Sequence, residues 1–195
     1  MDKLYMILLC LMIVPILICI KYSRKIKSDV ASSIVKCLIF AIVTILSNGL
    51  SAFSGNETFS YIMEALYRFS FDLMLIYVLQ YSQQYTRVFH EVSPFKKGCF
   101  IIAYLDGILL FLNIIFHNVF TIETVRFPNF DMYHVADKSI IFYFHYVFAY
   151  GLVVCIIASF IIKIIQIPDF YRKKYLPILV LICVITVSKF ICGIS

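Results

Sequence analysis

The chain has 195 residues, of which 63% are apolar and only 14% are charged. Soluble domains are about half apolar and about a quarter charged, so a soluble fold of this length could not hide so much apolar surface, and a lipid bilayer must cover it. The net charge of +6 would suit a nucleic-acid partner, but the basic residues cluster beside apolar runs, so we expect none.

Six segments have the length and composition of membrane spans, each needing about 20 mostly apolar residues. In chain order they cover residues 4–20, 34–53, 59–81, 95–116, 139–165 and 175–195. The sequence therefore predicts an all-α fold, a single polytopic transmembrane bundle of about six helices in the cell membrane.

The first apolar run follows Lys3, as the apolar region of a secretory signal peptide would. The run is long for such a region, and no small-residue cleavage site follows it. A basic segment at 21–27 comes next, which is typical of the anchor after a membrane span. We therefore interpret 4–20 as a span.

The basic residues predict the orientation of the chain. Twelve lie on the first, third and fifth loops or the adjoining helix ends: Lys21, Arg24, Lys25, Lys27, Lys36, Arg87, Lys96, Lys97, Lys163, Arg172, Lys173 and Lys174. Three lie on the amino terminus and the second and fourth loops: Lys3, Arg126 and Lys138. Because cytoplasmic loops carry the excess of Lys and Arg, we predict that the amino terminus and Ser195 are outside.

The fourth loop, about 117–138, is the longest segment predicted outside. Its aromatic and proline residues are Phe120, Phe127, Pro128, Phe130 and Tyr133. Such a loop is expected to fold back over the bundle. It would serve as a lid on a cavity or as an interfacial anchor.

The third span carries the most informative polar pattern. Glu64, Arg68 and Asp72 are spaced four residues apart and share one helix face, which Tyr61 and Leu75 extend. A charge inside the bilayer costs several kcal/mol unless it is paired or faces a cavity. The stripe is therefore predicted to face the bundle interior, either as a ligand pocket or polar switch, or as an ion-pair ladder that fixes helix packing.

Other spans add polar groups at comparable depth. Asp106 and Asn113 lie in the fourth span, His145 in the fifth and Lys189 in the sixth. Together with the stripe on the third span, they would line a ligand pocket that opens to the outside. The alternatives are that Lys189 extends to the membrane surface and that His145 is a hydrogen-bonded core residue, not a metal ligand.

No enzyme motif is present, since the sequence has no HExxH, GxSxG or phosphate-binding glycine loop. An aspartyl pair of Asp72 and Asp106 would lack glycine-rich surroundings. His117 and His134 are too far apart in sequence to indicate a metal site. The seven cysteines form no CxxC pair and fall mostly in apolar runs, where they act as small hydrophobes. We expect no catalysis, cofactor or metal.

Several short segments form a pattern along the chain. Most are rich in aromatic residues near the ends of predicted helices, and the last contains the basic residues of the fifth loop. They are Phe71–Leu73, Tyr77–Tyr81, Asn113–His117, Tyr143–Tyr146 with Tyr150, and Pro168 followed by Tyr171–Tyr175. From about Val30 onward this pattern resembles the seven-helix sensor region at the amino terminus of many bacterial histidine kinases and diguanylate cyclases.

The resemblance implies a ligand-sensing module that acts as a homodimer. The family has a seventh span and a cytoplasmic output domain after it, whereas this chain has six predicted spans, so it reads as a fragment or truncated gene. Two other hypotheses remain: a small transporter or its substrate-binding subunit, and a membrane-embedded enzyme. The expected partners are the bilayer and an unknown small ligand.

Overall fold

The computed structural model describes residues 2–52, 56–87, 93–127, 130–168, 175–177 and 180. Within them the chain forms five long α-helices and one β-hairpin. Their bounds are α1 Asp2–Ser23, α2 Asp29–Ala52, α3 Glu57–Thr86, α4 Ser93–Phe116, β1 Phe120–Phe127, β2 Phe130–Lys138 and α5 Ile140–Gln166. The sixth predicted span, 175–195, lies almost entirely outside the described residues.

Helix α3 is the centre of the bundle. It packs against α2, α4 and α5, while α1 packs mainly on α2 among the described elements. The side chain of Asn56 caps its first turn by accepting a hydrogen bond from the Phe59 amide. The helix ends where Arg87 adopts a left-handed conformation with φ 55° and donates its amide to the Gln83 carbonyl.

Three helices are long and apolar enough to cross a membrane: Asp29–Ser51 in α2, Pro94–Phe116 in α4 and Ile140–Gln166 in α5. Their outward faces keep large apolar side chains exposed, such as Ile115 at 70% and Val147 at 70%, which is the surface that lipid covers. These three helices fit the predicted membrane protein by length and composition. The apolar segment of α1, Leu11–Ser23, is shorter, and the count of six spans stays a prediction.

Polar side chains join α2 to α3 at three levels along their antiparallel contact. Ser33 donates to Gln84 Oε1 at 2.8 Å, Thr44 and Ser70 share a hydrogen bond of 3.0 Å, and Ser51 donates to Glu64 Oε2 at 3.2 Å. These hydrogen bonds therefore lie at both ends and in the middle of the helix pair. Small hydroxyl residues let helix backbones approach closely in apolar surroundings and still hydrogen-bond across the interface.

Two apolar clusters fill the interior, one on each side of a polar layer. The first contains Leu73, Leu75, Ile76, Leu79, Cys99, Ala103, Ala149, Leu152, Ile156 and Phe160. The second, at the hairpin end, contains Tyr61, Ala65, Leu110, Val119, Phe120, Ile122 and Phe142. Apart from Gly107, the buried residues between the two clusters on α3, α4 and α5 are polar, and most of them belong to the candidate site described below.

The β-hairpin is a feature that the all-α prediction missed. Strands β1 and β2 pair antiparallel from Phe120↔Lys138 to Phe127↔Phe130, with an irregularity between Phe120 and Ile122. The segment contains the β-branched and aromatic residues typical of strands. Its base is buried against the bundle through Val119 and Phe120, so the predicted folding of this loop over the helices is seen, with a regular structure.

Helix α4 approaches α3 closely at Gly107. A Cβ atom built there would lie 2.5 Å from Cδ2 of Phe69, whereas one built at Gly151 in α5 would have nothing within 4 Å. The Phe69 ring thus occupies the space that any side chain at position 107 would need.

We expect Gly107→Ala to destabilise the protein by about 1–3 kcal/mol, because the ring of Phe69 must shift to make room. Gly151→Ala is the matched control, since alanine in an open helix position is neutral or stabilising by about 0.5–1 kcal/mol. The measurement is the midpoint of thermal unfolding in detergent. Equal midpoints for the two variants would contradict the close packing at Gly107.

Candidate functional site

Three ionisable side chains from three helices meet in the polar layer. Asp72 comes from α3, Asp106 from α4 and His145 from α5, and they are 0%, 2% and 3% exposed. His145 Nδ1 lies 2.8 Å from Asp106 Oδ2 and 3.2 Å from Asp72 Oδ2. One ligand-type atom from each residue lies within 4.8 Å of the other two. We call this group the carboxylate–imidazole cluster.

The imidazole cannot satisfy both carboxylates. One ring nitrogen carries at most one hydrogen, and its good hydrogen bond is to Asp106. Both oxygens of Asp72 are buried without a hydrogen-bond partner among the described residues. An unsatisfied buried carboxylate is strongly unfavourable in apolar surroundings, and a proton or a cation bound at the cluster would relieve this penalty.

A second polar group lies one turn nearer the hairpin on α3. Arg68 forms an ion pair with Glu64 through Nη2 and Oε1, and Glu64 Oε2 accepts the hydrogen bond from Ser51 of α2. The predicted ladder placed Arg68 between two carboxylates. The structure instead pairs Arg68 with Glu64 and brings Asp72 to His145, since the partner that reaches Asp72 comes from α5.

Aromatic rings surround the Arg68 guanidinium. Its Cζ atom lies 4.3 Å from the ring centroid of Phe142 on α5 and 5.7 Å from that of Phe120 at the hairpin base. Such contacts stabilise a desolvated cation by up to about 2 kcal/mol. Arg68 Nε is nevertheless buried without a hydrogen-bond partner among the described residues. One side chain thus touches the hairpin and α5 while it is ion-paired within α3.

Asn113 fixes the hairpin to the end of α4. Its Nδ2 donates to the Phe120 carbonyl at 2.8 Å, and its Oδ1 accepts from the amides of Val119 at 2.6 Å and Phe120 at 3.3 Å. From α3, the Tyr61 hydroxyl accepts the Ile122 amide at 3.0 Å. These bonds satisfy backbone groups that would otherwise be buried unpaired.

The predicted site residues fall into three groups. Glu64 and Arg68 form the ion pair, Asp72, Asp106 and His145 form the cluster, and Asn113 holds the hairpin. Lys189 lies outside the described residues. All six described residues are buried. Five lie in the polar layer, and Asn113 lies beside it at the base of the hairpin. The described residues do not line a pocket open to the outside.

A cavity of about 310 Å³ lies elsewhere, on the surface between α3 and α4. It is an apolar groove lined by Phe69, Tyr104, Gly107, Ile108, Phe111 and Leu112. None of the six described site residues lines it.

Sequence reasoning missed the residues that complete the site. Ser51 and Phe142 supply contacts to the ion pair, and Tyr61 was noted only as an extension of the stripe. Serine and phenylalanine are common in membrane helices, so their types alone carry no signal. The position of Phe142 three residues before His145, on the same face of α5, was the available clue.

The chemistry open to this arrangement is that of carboxylates, an imidazole and a guanidinium. These groups hold protons, bind cations or bind anions. Among the described residues of the layer there is no serine or cysteine paired with His145, so the geometry does not form a nucleophile–base pair.

We expect Asn113→Leu to loosen the hairpin base, because the buried amides of Val119 and Phe120 lose their acceptor. The penalty is about 1–3 kcal/mol for each unsatisfied group, so hydrogen exchange of these amides should accelerate at least about tenfold. Tyr61→Phe is the control and should affect mainly the Ile122 amide. Unchanged exchange in a peptide covering residues 117–122 would show that Asn113 does not hold the hairpin.

No protein-family model matches this sequence, and no curated protein matches it either. The functional assignment therefore depends on the residues described above.

Proposed function

We propose that this chain is the membrane-embedded sensory input module of a bacterial signal-transduction protein. An extracellular or membrane-borne small ligand would act at the hairpin end of the bundle. The resulting helix shift would pass to a cytoplasmic kinase or diguanylate cyclase domain that lies beyond these 195 residues. In this proposal the chain crosses the cell membrane six times, with its amino terminus outside, and works as a homodimer.

The observation that carries the proposal is the set of contacts made by Arg68. The guanidinium is buried, paired with Glu64, and packed against Phe120 of the hairpin base and Phe142 of α5. Glu64 in turn bonds to α2 through Ser51. A displacement of the hairpin would therefore change the surroundings of a buried charge that three helices share.

A buried charge of this kind favours two discrete arrangements over a continuous adjustment. In apolar surroundings an arginine that loses its partners is strongly destabilised. It would have to find new ones, and its Nε, which has no hydrogen-bond partner in the described part of the chain, could donate to an anionic ligand group. A ligand shifts the equilibrium only through unequal affinity for the two arrangements, and the two states of Arg68 would supply that inequality.

The proposed orientation is supported by where the basic residues lie in the fold. Lys21 lies in the last turn of α1, and Arg24, Lys25 and Lys27 lie between α1 and α2, at the end of the bundle remote from the hairpin. Arg87 ends α3 on the same side. A membrane protein keeps such residues in the cytoplasm. The hairpin and its exposed Glu123 would then face outside.

We expect Arg68→Ala, introduced at the native gene locus, to change the output of the system without preventing membrane insertion. Arg68→Lys keeps the charge but not the planar, multiply bonding head group, so it should be intermediate. The measurements are cyclic di-GMP concentration and histidine phosphorylation of membrane proteins, compared with the parent and a deletion strain.

Two results would count against the sensory role. One is that the deletion strain and the Arg68→Ala strain both match the parent in these outputs. The other is a native gene product whose mass is near 22.7 kDa and which forms no complex with a kinase or cyclase.

A small transporter, or the membrane subunit of one, is the second candidate, and the carboxylate–imidazole cluster favours it. Buried Asp and His residues in membrane helices are typical of proton and ion pathways. The discriminating measurement is proton movement across proteoliposomes that contain the purified chain. We expect no movement above that of empty vesicles; proton movement that Asp72→Asn abolishes would establish transport instead.

A further inference from the structure

We propose that Asp72, Asp106 and His145 form a binding site for one divalent transition-metal ion of the Zn²⁺ class. The ion would be bound by one carboxylate oxygen from α3, one from α4 and the imidazole Nδ1 from α5. This site goes beyond the sensory role and would exist whether or not the chain signals.

The three ligand atoms are close enough together for small side-chain shifts to place an ion among them. Carboxylate oxygens and imidazole nitrogens bind Zn²⁺ at about 2.0–2.2 Å, so neighbouring ligands in a tetrahedral site are about 3.3–3.6 Å apart. The Nδ1–Oδ2 distances are 2.8 Å to Asp106 and 3.2 Å to Asp72. All three atoms lie within 4.8 Å of one another, and small side-chain adjustments would centre an ion among them.

Asp72 provides an independent observation that points to a ligand. It is fully buried, and neither of its carboxylate oxygens has a hydrogen-bond partner among the residues that the structure describes. Its Oδ2 nevertheless lies 3.2 Å from His145 Nδ1, so the carboxylate is directed into the cluster. A metal ion would supply the missing partner to this oxygen.

Charge favours a divalent cation over the empty cluster. Two carboxylates bring two negative charges into an apolar interior, and one M²⁺ ion balances them. The mixed nitrogen and oxygen ligands suit Zn²⁺, Mn²⁺ or Fe²⁺ better than Ca²⁺ or Mg²⁺, which prefer all-oxygen sites with more ligands. Three protein ligands also leave a coordination position open for water or a small ligand.

The site would join the three helices around the bundle centre. Because each ligand comes from a different helix and all are nearly inaccessible, binding should stabilise the native state and release should be slow. These two properties separate a built-in site from loose adsorption of metal to surface carboxylates.

The experiment uses the full chain, purified in detergent without a polyhistidine tag, and Zn²⁺ and Co²⁺ as probes. We expect about one equivalent of metal per chain after gel filtration, a rise in thermal midpoint on adding Zn²⁺, and loss of metal to a chelator over hours. Asp72→Asn, Asp106→Asn and His145→Gln should each weaken binding about 10–100-fold. Glu57→Gln, which removes an exposed carboxylate from the first turn of α3, is the matched control and should bind normally.

X-ray absorption of the unmodified protein tests the ligand set even if a variant fails to fold. Nitrogen and oxygen scatterers near 2.0–2.2 Å with no sulfur would support the site, whereas a sulfur shell near 2.3 Å would assign the metal to cysteines instead. The proposal is overturned if the intact chain holds no Zn²⁺ or Co²⁺ at micromolar concentration. It is also overturned if the three folded variants bind as tightly as Glu57→Gln.

Discussion

Burying charge in apolar surroundings is the constraint on which the rest of this fold depends. Glu64, Arg68 and Asp72 occupy one face of α3, and each would be strongly unfavourable against lipid. That helix is therefore enclosed by α2, α4 and α5, whose outward faces are apolar and exposed. Each charged group on α3 then takes a neighbour from its own helix or from a surrounding one.

The positions of the helices along the chain were predictable, because the length and composition of the apolar segments determine where these helices form. The predicted spans 59–81 and 95–116 lie within α3 and α4, and 139–165 matches α5 to within one residue. The helices extend past the apolar runs, as at the polar end of α3 up to Thr86, because backbone hydrogen bonding continues where hydropathy falls. The inward direction of the stripe was also predictable, since a spacing of four residues defines one face.

Which polar side chains of different helices contact one another was not predictable in the same way. Asp72, Asp106 and His145 are distant in sequence, and only the rotation and depth of three separate helices bring them together. Sequence alone therefore favoured a hydrogen-bonded core role for His145. The hairpin was missed for a different reason: in a chain dominated by apolar helices, the short alternation from Phe120 to Phe127 was interpreted as a loop covering the bundle.

In the proposed six-span topology α3 crosses the bilayer, and its polar face would affect how the protein enters the membrane during synthesis. Each charged residue at the centre of a helix opposes release from the translocon into lipid by about 2.5–3.5 kcal/mol, so α3 is a poor substrate for insertion by itself. Ser51 of α2 is available as a neighbour as soon as α3 emerges, but Asp106 and His145 are made later. Helix α3 is therefore expected to wait beside α2 within the insertion machinery until α5 has been synthesised, and the bundle would enter the bilayer as a group.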